Sequence, residues 1–174
     1  MVDVFSIYLA SHKKANFVPY NWFVLIETLL LYYFFNKTLL LTFTKRIVYF
    51  FSFCFPIIWF AYYRKLGTIG YVDTAVTYEN ISIIILTIFY FYEQINKAQS
   101  SVVYNQPSFW IVAAYLIYSA GTFFLFIYID SLHRNDQQKY YVLNYLLLIF
   151  KFILLSIAML MKNEPPARKN FQLT

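Results

Sequence analysis

The sequence predicts an all-α, polytopic transmembrane helical bundle of about five spans plus a short N-terminal apolar segment, and three observations carry that prediction. Hydrophobic residues make up 61% of the chain and charged residues 13%, against about 45–50% and 25% in soluble domains, which leaves too little polar surface to coat a water-soluble globule. Apolar runs long enough to cross about 30 Å of hydrocarbon as helix, which takes roughly 17–25 residues, recur along the chain. Within them apolarity is continuous rather than alternating, which excludes a barrel, and an open sheet would leave backbone groups without hydrogen-bond partners in lipid.

Taken in order, the runs lie at 17–35, 47–63, 76–93, 108–129 and 140–161. The first opens near Pro19, which an initial helical turn tolerates, whereas Pro56 inside FSFCFPIIWF is expected to kink or locally open the second. The third, VTYENISIIILTIFYFYE, carries acids near both ends; the fourth and fifth are the most apolar. The chain therefore divides into a segment at 1–16, a bundle at 17–161 and a polar tail at 162–174. VDVFSIYLA in the first segment is too short to span and is followed by SHKK, the reverse of a secretory signal; an interfacial segment or the remnant of a longer helix is expected there, the latter implying a longer natural reading frame. The tail has no lipidation motif.

The net charge of +6 comes from Lys and Arg scattered between the apolar runs, the pattern of membrane-flanking charges rather than of a nucleic-acid-binding stripe. Counted by side, Lys13, Lys14, Arg64, Lys65, Arg134 and Lys139 face Lys37, Lys45, Arg46, Lys97, Lys162, Arg168 and Lys169, a balance that leaves orientation open. The single cysteine, Cys54, lies in an apolar run and reads as a small buried hydrophobe. His12 and His133 occupy separate polar breaks with no metal-ligand spacing, and neither a phosphate loop nor a serine elbow occurs, so no metal, cofactor or soluble catalytic domain is expected.

Two charges break the apolar pattern. Lys151 stands in the middle of LLLIFKFILLSIAML, a span whose many Leu, Ile and Phe residues outweigh the roughly 2.5–3.5 kcal/mol that a central lysine costs on insertion. Its ammonium should face the bundle interior and find a partner. Glu27, at a similar depth in FVPYNWFVLIETLLLYYFF, is the best candidate. Tyr20 precedes Glu27, and Asn144 precedes Lys151, by one heptad, so each charge shares a helical face with a polar neighbour. A polar seam of Glu27, Lys151, Tyr20 and Asn144 is expected between the first and last spans. It is either an ion pair that sets helix register or a proton, ion or substrate site.

The fourth span carries a hydroxyl-rich face of Ser108, Tyr115, Ser119 and Thr122, with Ala120 and Gly121 allowing close backbone approach; helix packing is its simplest use. Glu79 and Glu93 share a face of the third span near opposite membrane surfaces, where ordinary interfacial solvation is expected, or access to a polar path past Glu27.

The stretch PSFWIVAAYLIYSAGTFFLFIY, residues 107–128, resembles a group of uncharacterised multi-pass membrane proteins of Bacteroidota with a similar P-x-FW … LIY-x-x-G-x-FF-x-F pattern, and PYNWFVLIE fits their Tyr followed by a membrane Glu. That resemblance implies a bacterial inner-membrane location and a longer N-terminus, but no activity. A lysine in the last span is also shared with microbial rhodopsins, which however have seven spans and an Asp where Leu147 stands here. The expected role is a non-enzymatic sensor or partner component working through helix or lipid contacts, in the bilayer alone, with another membrane protein, or as a homo-oligomer. The alternatives are a small transporter or channel using Glu27 and Lys151, and a membrane-embedded lipid-modifying enzyme.

Overall fold

A computed structural model describes residues 17–66, 72–96, 103–129 and 134–161; the N-terminal segment, the polar tail, His12 and His133 lie outside them. Among the described residues there are five α-helices, α1 (Phe17–Thr38), α2 (Thr42–Leu66), α3 (Asp73–Asn96), α4 (Pro107–Ile129) and α5 (Arg134–Leu160), with a 3-10 turn at Val103–Asn105 before α4. All five are long and apolar enough to cross a membrane. The protein is an all-α bundle of the multi-pass integral membrane class.

Most of the helices extend beyond the apolar runs because apolarity marks only the hydrocarbon-facing part, whereas backbone hydrogen bonding continues until something caps it. The Leu41 carbonyl accepts from Lys45 N at 3.1 Å and opens α2. The Val72 carbonyl accepts from Ala75 N and Val76 N at 3.0 and 3.2 Å and opens α3, while Val72 N itself donates to Asn21 Oδ1 at 3.2 Å. Pro107 sits in the first turn of α4, where its missing N–H costs nothing. Pro56 lies inside α2, and the helix continues through it.

Polarity is turned inside out relative to a soluble protein. Thr28, Ser82, Thr87 and Ser119 have no solvent exposure, whereas Phe53 is 72% and Phe43 65% exposed. In water such a surface would aggregate; in lipid it is the favoured arrangement, since backbone and hydroxyl groups need internal partners.

The most buried helix is α3, which packs on α1, α2 and α4; α4 in turn makes its most extensive contact with α5. At Gly121 α4 and α5 come close, since a Cβ there would lie 2.5 Å from Leu147 Cδ1. An aromatic core joins the first three helices, with Tyr32, Phe35, Phe55, Trp59 and Tyr90 all buried and the Tyr32 and Phe55 rings edge-to-face at 6.1 Å. By contrast α1 and α5 make little backbone contact with each other.

Candidate functional site

Between α5 and α1, Lys151 Nζ lies 2.6 Å from Glu27 Oε1. Both residues sit near the middle of their spans, and the lysine stem bridges the distance that the backbones leave. Tyr115 on α4 donates its hydroxyl to the same Glu27 oxygen at 3.0 Å. The ammonium also lies 4.4 Å from the centroids of both the Tyr115 and Tyr118 rings. A cation over two aromatic faces is attracted by their quadrupoles, most strongly where water is absent. Three helices therefore stabilise one charge: α1 with a carboxylate, α5 with the ammonium, α4 with a hydroxyl and two ring faces.

The pair is unevenly enclosed. The Lys151 side chain is 6% exposed and that of Glu27 21%. The acid thus keeps part of its surface uncovered near the middle of its span.

Of the other seam residues, Asn144 accepts a long 3.4 Å hydrogen bond from the Thr122 hydroxyl, one heptad from Lys151 along α5. Tyr20 is half-buried and packs against the hydrophobic core. The hydroxyl face of α4 serves three helices rather than one. Ser108 pairs with Tyr90 of α3 at 3.1 Å, Tyr115 with Glu27 of α1, and Thr122 with Asn144 of α5. Ser119, between these nodes, is fully buried and its hydroxyl has no hydrogen-bond partner.

The two acids of α3 depart from the expectation of interfacial solvation. Glu93 is 5% exposed because the turn between α1 and α2 folds over it. Leu40 N and Leu41 N donate to its carboxylate at 2.6 and 3.2 Å, and the Thr44 hydroxyl donates at 2.6 Å. A side chain at the end of α3 thereby holds the turn between α1 and α2 and, through Thr44, the first turn of α2. Glu79 is 9% exposed, lies within reach of the Thr28 hydroxyl, and feels the charges of Glu27 and Lys151. Its carboxyl is thus buried rather than solvated.

Comparison with protein-family models, curated proteins and solved structures finds no match to this chain. The site therefore rests on its own geometry.

Sequence reasoning missed three of its parts. Tyr118, three residues after Tyr115, occupies a neighbouring position on α4 and could have been found by asking which rings accompany that hydroxyl. Thr28 is adjacent to Glu27 but points along its own helix, donating to the Val24 carbonyl at 2.7 Å. Tyr32 and Ser82, joined at 2.7 Å, link α1 to α3 through residues that no spacing singles out. Among the described residues, no three His, Cys, Asp or Glu side chains gather to hold a metal ion.

A separate groove of about 640 Å³ lies on the outer side of α1 and α2, walled by Trp22, Trp59, Pro56 and Phe60. Trp59 and Tyr63 stack there at 4.5 Å, and Trp22 Nε1 donates to the Tyr63 hydroxyl at 3.3 Å. Arg64, above the Phe60 ring at 4.7 Å, completes an aromatic and basic group of the kind that anchors helices at a membrane surface.

Proposed function

We propose that this protein is a non-enzymatic component of a membrane assembly, in a bacterial inner membrane, that receives a helix of another membrane protein beside Glu27 of α1. One observation carries this reading: Glu27, the salt-bridge partner of Lys151, remains 21% exposed near the middle of its span. Polar groups facing hydrocarbon are expensive, and helices in lipid associate through such groups when a neighbour supplies a donor. A partner offering a serine, asparagine or lysine at that depth would complete the Glu27 shell.

Photo-crosslinking residues placed at Phe23 and Leu30, one helical turn on either side of Glu27, test the proposal in native membranes. A discrete protein adduct at both positions is expected, absent at Phe53 on the far face of α2 and lost when Glu27→Gln and Lys151→Met are combined. Adducts to lipid alone at Phe23 and Leu30 would overturn it.

A second reading, a small transporter, is favoured by the gathering of Glu27, Glu79 and Lys151 in the bundle interior. It requires water at the cluster. Cysteines placed beside Glu27 that react with membrane-impermeant reagents would support it, and unreactive ones would weigh against it. The cluster lies at mid-depth rather than at a membrane surface, which gives a lipid-modifying enzyme no comparable support.

A further inference from the structure

The groove on the outer side of α1 and α2 has a polarity gradient along its length. On α2 it is walled by Pro56, Phe60 and Arg64, spaced by four residues into one stripe, with Ala61 beside them; Trp22 and Leu25 of α1 form the opposite wall. From Pro56 to Arg64 the helix rises about 12 Å, against about 15 Å for half of a 30 Å hydrocarbon core. The trough is thus apolar over roughly the depth of one leaflet and ends on a cation. Lys65 follows, and both basic side chains are exposed where α2 closes.

Arg64 is uncommitted. Its guanidinium carbon stands over the Phe60 ring at 4.7 Å, a contact that steadies the group without consuming any of its five N–H donors. Among the described residues no carboxylate or other acceptor takes them. The two indole N–H groups of the groove are, by contrast, already used: Trp22 donates to the Tyr63 hydroxyl at 3.3 Å and Trp59 to the Asn21 carbonyl at 3.0 Å. These bonds hold the walls in place and leave the Arg64 fork as the polar group that the trough presents.

We propose that this groove binds one anionic phospholipid, its phosphate on Arg64 and an acyl chain along Trp22, Pro56 and Phe60. The guanidinium fork matches phosphate oxygens two at a time, and basic groups at the ends of membrane helices attract anionic headgroups. An anionic lipid is preferred to a zwitterionic one because no ammonium of its own balances the phosphate. Trp22 and Leu25 precede Glu27 by five and two residues, about 140° and 160° from it around α1 at 3.6 residues per turn. The lipid site therefore occupies a different face of α1 from Glu27, and it stands whether or not a partner helix docks there.

Fluorescence quenching of the full chain tests the proposal. Trp110→Phe leaves Trp22 and Trp59, both on the groove, as the emitters. In phosphatidylcholine nanodiscs holding equal minor fractions of lipid with brominated acyl chains, brominated phosphatidylglycerol should quench them several-fold more than brominated phosphatidylcholine. On this background Arg64→Gln should bring the two lipids to equality, and Ala61→Phe, which fills the trough, should remove most of the excess. Both positions are exposed, so neither change empties the core. Equal quenching by the two lipids before either change overturns the proposal, as does an excess that survives Arg64→Gln or is untouched by Ala61→Phe. Protection from both lipids would place a protein helix in the groove and overturn it equally.

Discussion

Lys151 reaches Glu27 at 2.6 Å although the helices bearing them, α5 and α1, do not pack along each other. The contact is made by side chains and links two helices that otherwise meet little. Removing one partner should therefore be worse than removing both. Lys151→Met alone leaves the Glu27 carboxyl with Tyr115 but without its cation; loss of one member of a buried pair costs about 3–5 kcal/mol, whereas an apolar replacement of both is often neutral. Thermal unfolding in detergent should show a large loss for Lys151→Met and recovery in the Glu27→Gln, Lys151→Met double variant. Additive losses would show that the pair is not coupled.

The architecture was legible in the sequence because apolar length is a direct report on hydrocarbon thickness, and each of the five helices contains or closely overlaps a continuous apolar run. Glu27 and Lys151 stand out for the same reason: each is a lone charge in the middle of such a run. Glu79 and Glu93 were not legible as buried groups. Both lie near the ends of an apolar stretch, and a sequence gives no sign that the turn at Leu40 and Leu41 folds over one, or that α1 covers the other. Burial of an acid near a span end is decided by the neighbouring helices, which local periodicity does not encode.

Glu93 holds the turn between α1 and α2 from another helix, and its loss should be felt there. Gln at 93 would keep one acceptor but set an amide donor against Leu40 N, Leu41 N and the Thr44 hydroxyl, all of which donate. Leaving buried donors unpaired costs about 1–3 kcal/mol each. Glu93→Gln should lower the unfolding midpoint and raise hydrogen exchange at Leu40 and Leu41 selectively. Uniform exchange across α1 and α2 would argue against a local role at this turn.

Tyr115 contributes both a hydroxyl and a ring, and two substitutions separate them. Tyr115→Phe removes the 3.0 Å hydrogen bond to Glu27 and keeps the face under Lys151; a bond to a charged group is worth about 1.5–3 kcal/mol. Tyr115→Leu removes both, adding about 0.5–2 kcal/mol for the cation–π contact. Denaturation midpoints should fall in the order wild type, Phe, Leu. Equal values for Phe and Leu would mean that the ring does not stabilise the ammonium.

At the α4–α5 contact, a Cβ on Gly121 would lie 2.5 and 2.9 Å from the two methyl carbons of Leu147 and 3.3 Å from its Cγ. The methyls are the far end of a flexible side chain and can rotate away, but Cγ is tied to the α5 backbone, so relief requires the helices to part slightly. Overpacking of this kind costs about 1–3 kcal/mol. It should also lengthen the already stretched 3.4 Å Thr122–Asn144 bond, which joins the same two helices one residue further along α4. Gly121→Ala is therefore expected to lower the unfolding midpoint, and Leu147→Ala, which frees the space, to restore part of it. A Gly121→Ala variant as stable as the wild type, or a double variant no better than the sum of the singles, would show that α4 and α5 have room to spare at this crossing.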